Sequence, residues 1–397
     1  MSFVDAFDAV FADEAEPMPA VVAGDALAGP PLLLWSQPLP GLPPPTATRT
    51  EPAAPVVLGD RIFVGFSGAD GLLVLSRHDG GLVTVLPARA PVATAPVVTD
   101  TFVYFSDTAG YTFAYRLDAL DTRTPAWSHF SGAPVLSPVT VAGDTLYVAN
   151  VDDLVFALDA RTGELRWRHA HRLDAARTSE LELFGAPSPV LDAARGELLC
   201  GFSDGFLVAL GARDGTPRWS VGVGEGAYPD LIAPPAVGAL GVLVGGYSGP
   251  LESLDPEARA VRWRLEVGSS APFSVVGETL WHGGADGQLR RVDLRTGEVK
   301  WVWDTGAGGT LGQPVPTAQG LLVASSEASL YLVDPETGSP RWTFDPGVLL
   351  EGFTATPAVV GDTVYAVSNA GVLYAFRGRA PVAVTDTPDW VTPPFPR

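Results

Sequence analysis

Residues 292–301, VDLRTGEVKW, recur along the chain as LDARTGELRW ending at Trp167, LGARDGTPRW at Trp219, LDPEARAVRW at Trp263 and VDPETGSPRW at Trp342. In the clearest copies a strand ends on an apolar residue and an Asp, and a Thr-Gly or Asp-Gly pair turns the chain. A second strand then runs three residues to a Trp. Glycine suits a turn position with positive φ, and the Asp side chain caps the turn through nearby backbone N–H groups. The phrase therefore reads as a β-hairpin. Upstream lies a second phrase, clearest at residues 356–376, TPAVVGDTVYAVSNAGVLYAF, and repeated at 137–159, SPVTVAGDTLYVANVDDLVFALD. It reads as strand, Gly-Asp turn, strand, small polar turn, strand. Together the two phrases make four strands per repeat.

Trp127, Trp167, Trp219, Trp263, Trp301 and Trp342 stand 40, 52, 44, 38 and 41 residues apart. Four-stranded units repeating every ~40–45 residues are propeller blades. Between residues 55 and 127 the pattern persists with Thr84 in the Trp slot and Gly80 in the turn. After Trp342 comes a three-strand set, 357–376, that lacks a fourth strand. LLLW, ending at Trp35, has no set before it and supplies that strand. The expectation is an all-β chain: an eight-bladed propeller of four-stranded antiparallel blades, closed by an N-terminal strand. Closure this way pairs strand edges that would otherwise invite aggregation. The domain organisation expected is an acidic tail at 1–30, the ring at 31–379 and a Pro-rich tail at 380–397.

The Asp-x-x-Thr-Gly-x-x-x-Trp hairpin, intact at 159–167, 293–301 and 334–342, resembles the tryptophan-docking repeat of the pyrroloquinoline quinone-like propellers. The resemblance covers residues 32–377. It implies that Trp35, Trp127, Trp167, Trp219, Trp263, Trp301 and Trp342 each pack against a neighbouring blade as structural staples. That family holds quinone-dependent dehydrogenases and cofactor-free scaffolds, the latter including the propeller lipoprotein of the outer-membrane barrel assembly machinery. In size, blade count and closing strand the chain resembles the second kind, which implies no cofactor and a protein partner.

Composition narrows the partners. The chain has 397 residues, a formal net charge of -20 and, among 25 basic residues, only one Lys, Lys300. Nucleic acid and anionic membrane surfaces demand clustered positive charge, so neither is an expected partner. No stretch is long enough for a membrane-spanning helix, and the chain opens without a basic n-region or long apolar core. A cytoplasmic location is expected, or a periplasmic or outer-membrane-associated one if an export signal precedes Met1. The ring is expected to be monomeric within a complex. The lone Cys200, in a strand, reads as a small core residue and makes no internal disulfide.

Phe3, Phe7, Val10 and Phe11 fall at helical spacing among Asp5, Asp8, Asp13, Glu14 and Glu16, which predicts a short amphipathic segment. It is expected to be a frayed tail or a helix resting on its own ring, or else a short linear motif that docks its Phe face in a partner's groove. On the ring itself the hairpin turns are stereotyped. The mid-blade turns and blade-to-blade connections vary, and variable loops on a rigid scaffold carry function. Residues 168–187, RHAHRLDAARTSELELFGAP, explain the 52-residue step and open on Arg168, His169, His171 and Arg172, which with Arg166 just upstream make a basic cluster, and Phe184 lies near the end. His169 and His171 alternate, so a metal site is one reading and local pairing with carboxylates such as Glu180 and Glu182 the other. Residues 221–235 carry Glu225, Tyr228 and Asp230, and residues 344–356 present Leu349, Leu350 and Phe353. The partner-binding candidates are therefore Phe3, Phe7, Phe11, Arg168, His171, Arg172, Phe184, Tyr228 and Phe353, with their packing over the ring mouth as the structural alternative.

The enzyme alternative, a quinone- and Ca²⁺-dependent alcohol or sugar dehydrogenase, calls for clustered oxygen ligands and, in many members, a vicinal Cys pair. Asn150 and Asn369 sit at corresponding mid-blade positions with Asp152 and Asp204 on related turns, where such residues also serve backbone capping. Cys200 has no neighbouring Cys. Gly-x-Ser-x-Gly is absent, and the run 306–312, GAGGTLG, lacks the Lys-Ser/Thr of a phosphate loop. No catalytic, cofactor or metal residue is assigned.

Overall fold

The computed structural model describes residues 30–41, 51, 53–171, 187–224, 228–347 and 352–378. Phe3, Phe7, Phe11, Arg172, Phe184, Leu349, Leu350 and the tail 380–397 lie outside these residues. The described strands form eight four-stranded antiparallel sheets. We number these blades I (56–87), II (97–130), III (140–170), IV (190–222), V (236–265), VI (274–304), VII (315–344) and VIII. Blade VIII joins Ala358–Val360, Thr363–Val367 and Val372–Arg377 to the N-terminal strand Leu32–Pro38, with Leu33 opposite Phe376 and Trp35 opposite Ala375. The ring is closed as the sequence predicts. Within blades I–VII the strands are ordered as they occur in the chain, blade VIII takes the N-terminal strand as its outermost member, and the first strands of several neighbouring blades approach one another.

The core is a ring of separate clusters, each shared by two neighbouring blades. Between blades III and IV, for example, Tyr147, Val155, Ala157 and Trp167 meet Leu198, Cys200, Val208 and Leu210. The period-2 alternation of each middle strand sends one row of side chains to the preceding junction and the other row to the following one. This is why the middle strands read as nearly unbroken apolar runs.

The hairpin works as its sequence indicates. In blade III, Asp159 accepts the N–H groups of Arg161 and Thr162, both at 2.9 Å, and Gly163 adopts φ 73°. A bulge follows: Ala157 pairs with Trp167 and Leu158 with Leu165, leaving Arg166 as the extra residue. Arg166 then reaches Asp144 and Asp159 at 2.8 Å. Trp167 crosses to blade IV, where its indole N–H donates to the Ala212 carbonyl at 3.0 Å and its ring lies on Gly215. Trp127 docks likewise on Ala160, Trp263 on Leu294 and Trp301 on Pro335. The closing strand's Trp35 lies on Gly80 of blade I.

Three junctions depart from the rule. Blade V has Arg259, at φ 52°, where the other hairpins have glycine, and the Trp219 indole turns instead to Glu197 of its own blade at 2.9 Å. Blade II replaces the hairpin with a 3-10 helix, Leu117–Thr122. Trp342 meets blade VIII edge-on at Phe376, with ring centroids 5.5 Å apart.

Candidate functional site

The antiparallel order puts the hairpins on one face of the disc, and the mid-blade turns and blade connections on the other. On this second face a buried Asp or Asn organises several turns. Asn150 accepts the N–H groups of Asp152 and Leu154 and donates to the Ser131 carbonyl. Asn369 accepts from Glu51 and Thr354 and donates to the Ser326 carbonyl. Asp107 caps its own turn through Ala109 and Tyr111. Asn150 and Asn369 belong to blades III and VIII, and their amides are engaged by backbone. As oxygen ligands for a quinone-bound Ca²⁺ they do not fit, because their side-chain oxygens already accept backbone N–H groups.

The junction of blades III and IV is built differently. Asp153, at φ 55° and almost wholly buried, accepts the Ser203 N–H at 3.2 Å and the Ser203 hydroxyl at 2.5 Å. Burial raises the Asp153 carboxyl above its ordinary value against the lowering effect of those bonds. The Asp153 carbonyl holds the N–H of His171 at 3.1 Å. The His171 ring then stacks on Phe202, with centroids 4.1 Å apart and planes at 11°, and its Nε2 lies 2.7 Å from Asp204 Oδ2. His169 lies on the same side, 6.4 Å from the Phe202 ring, and burial lowers its proton affinity. The end of blade III's outer strand is thereby clamped to the mid-blade turn of blade IV. Beside the clamp lies a groove of about 360 Å³ lined by His169, His171, Val208, Arg218, Trp219 and Ser220, among others.

The expected site residues divide on the structure. His171 enters the clamp. Arg168 is exposed, but it stands opposite Phe156, so it projects toward the junction of blades II and III and away from His169. The strand's alternation splits what reads in sequence as one basic cluster. Tyr228 is exposed. Phe353 corrects the expectation of an exposed anchor: it is fully buried between blades VII and VIII, with Phe344 and Tyr374 around it. Its burial follows from the backbone, since the Phe353 N–H bonds to the Ser325 carbonyl at 2.7 Å and draws the loop inward. Among the described residues no three His, Cys, Asp or Glu side chains gather as metal ligands, so His169 and His171 stand as a pair. Phe202, Asp153 and Val208 were not singled out by sequence, although aligning the eight repeats at the docking Trp exposes Val208 as unusually small.

A second polar group is buried between blades V and VI. His282 Nε2 and Ser269 Oγ are 3.0 Å apart, and Arg290 beside them pairs with Asp286 at 2.5 Å. Burial, reinforced by Arg290, lowers His282 to about 4. Ser269 and His282 are inaccessible to solvent, which excludes them as a hydrolytic dyad acting on an external substrate.

These features define an eight-bladed, tryptophan-docked propeller with a specialised junction on its variable face. The family model of outer membrane protein assembly factor BamB matches residues 116–303 and 285–380, and the chain belongs to that family. Outer membrane protein assembly factor BamB of Burkholderia pseudomallei is 25% identical over 267 residues, covering 64% of this chain and 66% of that protein, just under two thirds of its length. The quinohemoprotein alcohol dehydrogenase of Comamonas testosteroni is 25% identical over 331 residues, 74% of this chain but 44% of the dehydrogenase. Among solved structures, BamB from Moraxella catarrhalis superposes with a TM-score of 0.70 at 18% identity, covering 87% of this chain and 99% of that one, which speaks to the fold alone.

Proposed function

We propose that this chain is a non-enzymatic scaffold that holds a protein partner on the face bearing its mid-blade turns, as a component of outer-membrane protein assembly. The observation that carries the reading is the clamp at blades III and IV, where His171, Asp204, Phe202 and Asp153 fix the loops of two blades together. Preorganised loops bind with little further loss of conformational entropy, which is what a docking platform requires. Family membership supports the assembly role, and the use of Asn150 and Asn369 as turn caps weighs against the dehydrogenase chemistry of the other branch.

The test is cross-linking and co-isolation of the tagged full chain from its native cells, with partners identified by mass spectrometry, beside the variant Asp204→Lys. The reading expects outer-membrane assembly components in the wild-type sample and their depletion in the variant. The same purified protein is assayed for quinone absorbance and alcohol oxidation with added Ca²⁺. Stoichiometric quinone with turnover, and no assembly component recovered, would overturn the scaffold in favour of an oxidoreductase.

A further inference from the structure

The repeat places an aromatic pair at the outer edge of several junctions. The residue two positions after the docking Trp meets a third-strand ring of the next blade. His129 meets Phe156 at 5.7 Å, Trp303 meets Tyr331 at 5.0 Å and Phe344 meets Tyr374 at 5.1 Å, all edge-to-face. In blade III the corresponding residue is His169. The third-strand position opposite it in blade IV is Val208, the smallest side chain in a series otherwise made of Leu73, Phe113, Phe156, Glu252, Arg290, Tyr331 and Tyr374. The groove of about 360 Å³ lies at this junction because Val208 does not fill the space that an aromatic ring fills elsewhere. Its described lining includes Arg218, His169 and His171 and no carboxylate, in a chain of net charge -20. Arg218 is half exposed on the rim, with Asp214 as its partner at 3.3 Å.

From this geometry we infer that the groove between blades III and IV takes an aromatic side chain of a protein partner, presented beside an acidic residue. The ring takes the place that Phe156 or Tyr331 occupies in its own junction, edge-on to His169, and the carboxylate is drawn to Arg218. The inference rests on the scaffold reading and names the chemistry that the platform recognises.

The probe is a short synthetic peptide with one phenylalanine between aspartates, added to the full chain. The chain has only five histidines, so the ring C–H signals of His169 and His171 can be followed individually by NMR. Both should shift saturably. Replacing the peptide's phenylalanine by alanine should weaken binding at least about tenfold, the loss expected for withdrawing one buried ring. Val208→Phe restores the repeat's own ring and should abolish the shifts without lowering thermal stability. Should that variant fold poorly, Arg218→Glu provides a second arm, reversing the preference from aspartate-flanked to lysine-flanked peptide.

Equal response to the alanine peptide, or unchanged binding by both variants, would overturn the inference. Binding seen only after Phe184→Ala would assign the groove to the chain's own connection and overturn it equally. If assembly components are still recovered with Val208→Phe, the groove proposal fails while the scaffold reading stands. If none is recovered with wild type yet the peptide binds, the reverse holds.

Discussion

His282→Val should remove a pH-dependent component of stability from the ring. The position is Val64, Val148, Val244 or Val323 in other blades, so the substitution restores what the repeat prefers in a second strand. Buried His282 takes up a proton only near pH 4, whereas in the unfolded chain it does so near 6.5. Between these values the unfolded chain binds more protons. The His282 contribution is therefore complete above about pH 6.5 and is lost as the pH falls to about 4. At about 1.4 kcal/mol per tenfold change in proton affinity, the full loss is on the order of 3 kcal/mol. With roughly 2.1 cal/mol/K per residue of unfolding entropy over a ring this long, that moves the melting midpoint by about 4 °C. The variant also leaves the Ser269 hydroxyl without its imidazole partner, a cost of about 1–3 kcal/mol that does not depend on pH. The assay is calorimetry of wild type and variant from pH 4 to 7.5. Wild type should lose stability relative to the variant as the pH falls through this range. A constant difference across the range would refute the argument, because groups common to both proteins cancel in the comparison.

Trp167→Ala removes a buried ring and the bond to Ala212, and should cost about 3–5 kcal/mol in denaturant unfolding. Gly215→Ala, with φ 67° and an added Cβ 2.4 Å from the Trp167 ring, should cost more than the ~1–2 kcal/mol of left-handed strain alone. Loss of under half a kcal/mol in either, as read by the same denaturation, would contradict the docking geometry. Burial raises the Glu51 carboxyl above its ordinary 4.5, so its contribution is present at low pH and lost as pH rises through the folded value. Glu51→Gln should therefore improve relative to wild type between pH 4.5 and 7, and urea midpoints that keep a constant difference would count against it. The Cys200 thiol is buried and its pKa raised by that burial, so thiol reagents should label the chain only on unfolding. Rapid labelling of the native protein would show that the junction of blades III and IV opens.

The ring, its closure and the docking tryptophans were legible because each is written several times over. A hairpin needs an Asp cap, a positive-φ glycine and a Trp at fixed spacing, and a pattern imposed by local backbone chemistry survives in sequence. Sequence leaves Phe353 open between an exposed anchor and a packed residue, because its burial depends on the Ser325 carbonyl of blade VII and a cage of aromatics from two blades, none of which is adjacent to it in sequence. Arg168 and His169 look like one cluster along the chain, but strand alternation sends them to different junctions. The clamp at His171 could not be foreseen from spacing, since Asp204 and Phe202 come from the next blade and Asp153 acts through a left-handed turn.

The division of the core into junctions also explains how one of them can be specialised. Each apolar cluster draws on only two blades, so a repeat protein's stability is roughly a sum over neighbouring interfaces. A small residue at Val208 weakens the packing of blades III and IV locally. The docked Trp167 and the Asp153–Ser203 bonds hold that same junction from either side of the gap. Trp301 and Trp263 staple their own junctions regardless. An open groove can thus persist in one junction of a closed ring without loosening the rest. In a protein made from one repeated unit, departures from the repeat such as Val208, His282 and Arg259 are accordingly where a role beyond folding should be sought.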